Sequence, residues 1–147
     1  MENDKEIIYD IKEKKGLSLD ELGVLLLKWQ EKLEMKDWNL SLKIVEFRRK
    51  NGYRQSGDFI ADPVKKIATI LMTWDPWRDD EEYTLVHELL HVLIYNYDKY
   101  SENLILKTYN EDSSEYEEYM NKLENLTHHL TRIILGRSDR CFVGKLK

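Results

Sequence analysis

Apolar residues change their spacing several times along this chain, and each change marks an element. Leu22, Leu25, Leu26, Trp29 and Leu33 recur at helical intervals. Ser18-Leu19-Asp20-Glu21 precedes them as a capping box, so a helix is predicted over residues 19 to 35. At Trp38 the period drops to two. Trp38, Leu40, Leu42 and Ile44 alternate with Asn39, Ser41 and Lys43, the mark of a half-buried strand. Asn51-Gly52 is a hairpin signal, so residues 53 to 61 are expected to return antiparallel, with Gly57 suggesting a bulge or weak pairing. Asp62-Pro63 gives a second turn, and the apolar run from Ile67 to Trp74 a third strand. Together these predict a small three-stranded antiparallel meander.

Helical spacing then resumes. Asp79 to Glu82 crowd acid into a helix start, with Asp79 and Glu82 as a possible capping box, and a helix is predicted over residues 80 to 97. Residues 98 to 113 show no period and are expected to be mostly loop, with a short helical turn near 102 to 107. A final helix is predicted from 115 to 135. Ser114 to Glu117 start it as a capping box, Met120, Leu123, Leu126, Leu130, Ile133 and Ile134 form its stripe, and Gly136 ends it. Residues 1 to 16 read as a frayed helix or a tail, and 137 to 147 as a tail. The 147 residues are expected to form one α+β domain.

Composition narrows the class. A hydrophobic share of 41% supports a core, and 35% charged residues suit a soluble protein. The net charge of −5 gives no general pull toward nucleic acid or an anionic membrane. The local clusters, Arg48-Arg49-Lys50 and the C-terminal basic tail, read as solvated surface. No apolar run approaches the ~18 residues of a membrane span, and no secretory leader is legible. Cys141 is the only cysteine, which excludes an internal disulfide and suits a reducing, cytoplasmic setting.

The chemistry is concentrated in His87-Glu88-Leu89-Leu90-His91. Residues i and i+4 share a helix face, so His87 and His91 lie side by side as ligands for one zinc ion. Glu88 is then placed as general base toward a water at the metal. A catalytic site needs a third protein ligand. The final helix offers Glu117, Glu118, Glu124, His128 and His129. Helical phase turns Glu118 and His129 away, favours Glu124, and leaves Glu117 and His128 open, with Glu117 already explained by its capping box.

The stretch Thr84 to Leu93 resembles the extended signature of zincin metallopeptidases. A motif helix followed by a helix bearing a glutamate resembles the gluzincin arrangement. The whole order of elements is similar to the small minimal zincins of phage and mobile elements, phage repressor-cleaving metalloproteases among them. The resemblance runs from about Leu19 to Leu135, but only Thr84 to Leu93 is a sharp motif. It implies a zincin-like fold and a zinc-dependent endopeptidase with His87, His91 and Glu124 on the metal and Glu88 as base. It also implies a peptide substrate extended along an edge strand, Ile67 to Thr73. The SprT-like class, with a histidine as third ligand, would select His128 instead. No histidine follows His91 at metzincin spacing. His128, Tyr100 and Tyr109 are candidates for stabilising an oxyanion, and Trp77 stands just before the motif helix. The competing readings are a catalytically silent zinc-binding module and a protein- or DNA-interaction module. The expected partner is a peptide or protein; no membrane partner is expected, and the net acidity argues against nucleic acid. Oligomeric state is not legible.

Overall fold

The computed structural model describes residues 5–77 and 80–137. Cys141, Asp79 and the tail from 138 onward lie outside the described residues. The chain is α+β, with four strands and four helices among the described residues. Its contacts gather into two compact units, Met1–Val92 and Leu93–Lys147.

The first unit holds the sheet. Strands β1 (Lys5–Ile8), β2 (Asn39–Arg49), β3 (Gly57–Asp62) and β4 (Ile67–Thr73) accompany helices α1 (Leu19–Lys32) and α2 (Glu81–Leu93). The order across the sheet is β1-β2-β4-β3. β1 pairs antiparallel with the end of β2, from Lys5↔Arg49 to Ile8↔Glu46. β2 and β4 are parallel, from Asn39↔Ile67 to Val45↔Thr73. β3 and β4 are antiparallel, from Gly57↔Met72 to Asp62↔Ile67.

This mixed sheet replaces the predicted three-stranded antiparallel meander, and the arrangement does not match the zincin-like layout expected from the resemblance. The turn at Asn51-Gly52 does form, with Gly52 N–H donating to Arg49 O at 3.0 Å, but the chain after it does not pair back onto β2. β3 instead makes its hairpin with β4 through the turn at 63–66, where Asp62 Oδ1 accepts from Val64 and Lys65 N–H. β4 then slots between β3 and β2. Its near-continuous apolar sequence, with Ala68, Ile70, Leu71 and Met72 all buried, belongs to an interior strand covered on both faces. β4 is therefore not the edge expected to receive a peptide; both of its backbone edges are paired. The N-terminal segment is a strand over Lys5–Ile8 rather than a tail or frayed helix.

α1 starts as predicted. Ser18 Oγ accepts from Glu21 N–H at 3.1 Å and Glu21 Oε1 accepts from Ser18 N–H at 2.9 Å. It ends at Lys32, three residues before the predicted limit. The core combines Leu22 of α1, Val45 of β2, Ile70, Leu71 and Met72 of β4, and Leu85, Val86 and Leu89 of α2.

The N-terminus of α2 is pinned by polar contacts. Asp80 Oδ1 accepts from Tyr83 N–H at 3.0 Å, capping the helix. Buried Glu81 accepts from Leu17 N–H at 2.7 Å and from Lys14 Nζ at 2.6 Å. Gly16 has φ +75°, and a Cβ there would stand 2.3 Å from Glu81 Oε2. Glu82 accepts from Trp29 Nε1 at 2.6 Å. Lys14 is itself nearly buried, at 10% side-chain exposure, so Glu81→Ala strands a cation and a backbone N–H. We expect this substitution to cost about 3 kcal/mol in urea unfolding; a loss below about 1 kcal/mol would show that the pair does not anchor the helix.

The second unit contains α3 (Tyr95–Leu106) and α4 (Ser114–Leu135). α3 occupies much of the stretch predicted as loop, and the helix predicted over 80 to 97 is interrupted at Ile94. α3 buries no residue, so no apolar period announces it. Hydroxyl–carboxylate bonds hold it to α4: Tyr119 donates to Asp98 and Tyr116 to Glu102. Desolvation raises the Tyr116 and Tyr119 phenols, and their acidic partners raise them further. Desolvation also works to raise Glu102, but bonds from Lys99 and Tyr116 outweigh it and hold the carboxyl below its usual range.

α4 starts one residue early. Ser113, not Ser114, is the cap, accepting from Tyr116 N–H at 3.1 Å, so Glu117 has no capping-box role. Gly136 closes the helix at φ +69°. The covered side of α4 also differs from the predicted stripe. Thr127 and Thr131 are fully buried, whereas Leu126 and Ile133 are exposed. Each threonine hydroxyl donates to the carbonyl one turn back, Leu123 O at 2.8 Å and Thr127 O at 2.6 Å, which lets a polar residue be buried at small cost.

Candidate metal centre

Helix α2 is apolar on nearly every side, and its buried residues include Leu85, Val86, Leu89, Leu90 and Val92. Three polar side chains are enclosed with them: His87 at 8% exposure, Glu88 at 8% and His91 at 9%. Burying two imidazoles and a carboxyl within two turns is costly unless each is engaged.

The two imidazoles converge. His87 Nε2 and His91 Nε2 stand 3.2 Å apart, with their ring planes 76° from one another. Two nitrogens bound tetrahedrally at about 2.05 Å from one zinc ion are separated by about 3.3 Å. The spacing therefore fits a shared metal through both Nε2 atoms.

Aromatic rings set the two histidines. Tyr83, one turn before His87, stacks on it with centroids 6.1 Å apart and planes at 17°. Phe59 of β3 stacks on His91 at 5.4 Å and 9°. Neither residue stands out in the sequence. Tyr83 could have been found from its i−4 spacing to His87, but Phe59 becomes visible only once β3 is known to run beneath α2.

Gly57 lies two residues before Phe59 on the same face of β3. It makes no bulge: its pairing with Met72 is regular. What requires glycine is the approach of α2. A Cβ at 57 would lie 2.8 Å from Thr84 Cγ2, 3.2 Å from Glu88 Cγ and 3.2 Å from Leu71 O. Two of these neighbours are packed helix side chains and the third is backbone, so relief must come from moving the helix face that carries Glu88. Gly57→Ala is expected to destabilise by about 1–3 kcal/mol. If Glu88 acts on substrate, kcat should fall roughly 10- to 100-fold with metal content unchanged. Full activity in this variant would show that the position of Glu88 tolerates the shift.

Among the described residues, His87 of the first unit and Glu124 and His128 of the second are side chains of a kind that could serve a metal ion. His87 is buried, and the other two are half-buried. His91 is joined to His87 by their contact within the first unit. Glu117, Glu118 and His129 are exposed. Tyr100 and Tyr109, considered for oxyanion stabilisation, are exposed at 65% and 43%. Trp77 lines a cleft formed with the end of β2.

No family model matches this chain, and no curated protein or solved structure does so either.

Proposed function

We propose that this chain is a zinc-dependent peptidase built on the His87-Glu88-His91 motif. The observation that carries the proposal is the 3.2 Å separation of the two Nε2 atoms on a buried helix, with Glu88 enclosed beside them. His87 and His91 supply two neutral nitrogen ligands, and Glu124 the third ligand. Imidazole and carboxylate donors suit zinc. His128, half-buried like Glu124, is the second reading for the third ligand.

A zinc ion held by these residues would polarise a scissile carbonyl and acidify a water. Glu88 accepts the proton of the attacking water and later delivers it to the leaving amine. Tyr83 and Phe59 keep the imidazoles oriented, and the missing side chain at Gly57 leaves room for Glu88. β3 pairs only with β4 among the described residues, so an extended peptide has the other backbone edge of β3 available for pairing.

The experiment is elemental analysis of the purified protein, followed by exposure of the zinc-loaded form to a mixed peptide library with mass-spectrometric readout. About one zinc per chain with cleavage that stops on chelation is the expected result. Zinc without cleavage would leave a silent zinc-binding module, and no zinc after reconstitution would overturn the metal site itself.

A further inference from the structure

The first unit contains a second concave site with a different chemistry. A cleft of about 330 Å³ opens where the end of β2, the turn after it and the segment following β4 meet. Its lining includes three arginines, Arg48, Arg49 and Arg54, and four aromatic residues, Phe47, Tyr53, Trp74 and Trp77. In the cluster that reads in sequence as solvated surface, Arg48 and Lys50 are exposed, whereas half-buried Arg49 lines the cleft.

Two of the three arginines are already neutralised. Arg48 pairs with Glu46 at 3.2 Å and Arg54 with Asp75 at 3.4 Å. Arg49 meets a neutral partner: its Nη1 donates to Gln55 Oε1 at 3.0 Å, and its guanidinium stands over the Tyr53 ring at 5.5 Å. Its buried Nε has no hydrogen-bond partner among the described residues. With Glu46 and Asp75 as its carboxylates, the cleft lining keeps one positive charge in excess, centred on Arg49.

The rings are organised by cations. Arg54 lies over Trp77 at 6.0 Å and Lys15 over Trp74 at 5.4 Å. Tyr53 and Trp77 nevertheless remain open to solvent, at 58% and 39% exposure. With Arg49 over one face of Tyr53, the exposed ring keeps its other face available for stacking. A carboxylate alone would satisfy Arg49 and leave this face unused. A ligand that joins a planar ring to an anionic group uses both.

We propose that this cleft binds a nucleotide unit, with its phosphate at Arg49 and its base stacked on Tyr53. The unit could be a free nucleotide or one residue of a single strand, since the chemistry is shared. Base stacking on an aromatic side chain tolerates any base, and the phosphate contact is weakened by salt.

The test uses the full chain and fluorescence anisotropy with a fluorescein-labelled oligodeoxythymidine of roughly ten nucleotides, competed by thymidine monophosphate. Expected is binding that weakens as salt rises and falls at least about tenfold in Arg49→Ala and in Tyr53→Ala. Lys122→Ala, on the exposed side of α4, should bind as the parent does. Because Tyr53 is largely exposed, its variant is expected to keep the parental unfolding temperature, which separates lost binding from lost fold. Competition by the monophosphate at the oligonucleotide's own affinity identifies the free nucleotide as the ligand; weak competition identifies the single strand. Absence of binding, binding undiminished in both variants, or preferential binding of polyglutamate would overturn the proposal.

Discussion

Replacing Glu88 with glutamine should abolish peptide hydrolysis while zinc stays bound. The substitution keeps the shape and packing of the side chain, so Gly57 and Thr84 still accommodate it. What it removes is the ability to accept a proton. General-base catalysis contributes roughly 10²- to 10⁴-fold, and a drop in kcat of that size is expected with little change in unfolding temperature. The informative pair of measurements is zinc content beside turnover. Zinc retained and turnover lost assigns Glu88 the proton-transfer role. Turnover at the parental rate would sink the mechanism, because no other carboxylate follows the first histidine at the required spacing.

Deleting a metal ligand should have the other large effect. His87→Ala or His91→Ala removes one of the two converging Nε2 atoms. Loss of an outer-shell partner already costs roughly 10–100-fold in metal affinity, and loss of a direct ligand should exceed that. We expect both variants to be purified without zinc and to be inactive. Competitive titration with a chromophoric chelator measures the change. The same titration on Glu124→Ala and His128→Ala identifies the third ligand: the true one loses zinc, and the other keeps it. Parental affinity in both histidine variants would make the 3.2 Å contact an ordinary hydrogen bond between core imidazoles, which that distance also satisfies.

The elements that could be read from the sequence share one property: their evidence is local. The α1 cap needs only Ser18 and Glu21, and the α4 stop needs only Gly136. The metal motif needs only the 3.6-residue period that brings His87 and His91 to one face. α3 escaped because it buries nothing, and a helix held by tyrosine hydroxyls has no apolar period to detect. The α4 face was misjudged for a related reason. Buried Thr127 and Thr131 score as polar, while exposed Leu126 and Ile133 score as apolar, so the hydrophobic stripe pointed a little to one side of the covered one. The error bears on the third ligand, because the structural phase leaves Glu124 and His128 both half-buried, and Glu117 is exposed with no cap to serve.

Local sequence settled the alternation of strands and helices from α1 to β4, the start of α1, and the pairing of the two motif histidines, because these depend on neighbours within a few residues. Strand order was not among them. A strand's alternation says which face is buried but not which strand lies beside it, and a turn signal such as Asn51-Gly52 bends the chain without choosing a partner. Only the tertiary structure put β4 in the interior, parallel to β2, and carried β3 beneath α2. That one placement explains Gly57, supplies Phe59 to His91, and makes β3 rather than β4 the strand with an open edge. It is decided by the burial of β4 on both faces, a property of the assembled sheet that no short segment of the chain contains.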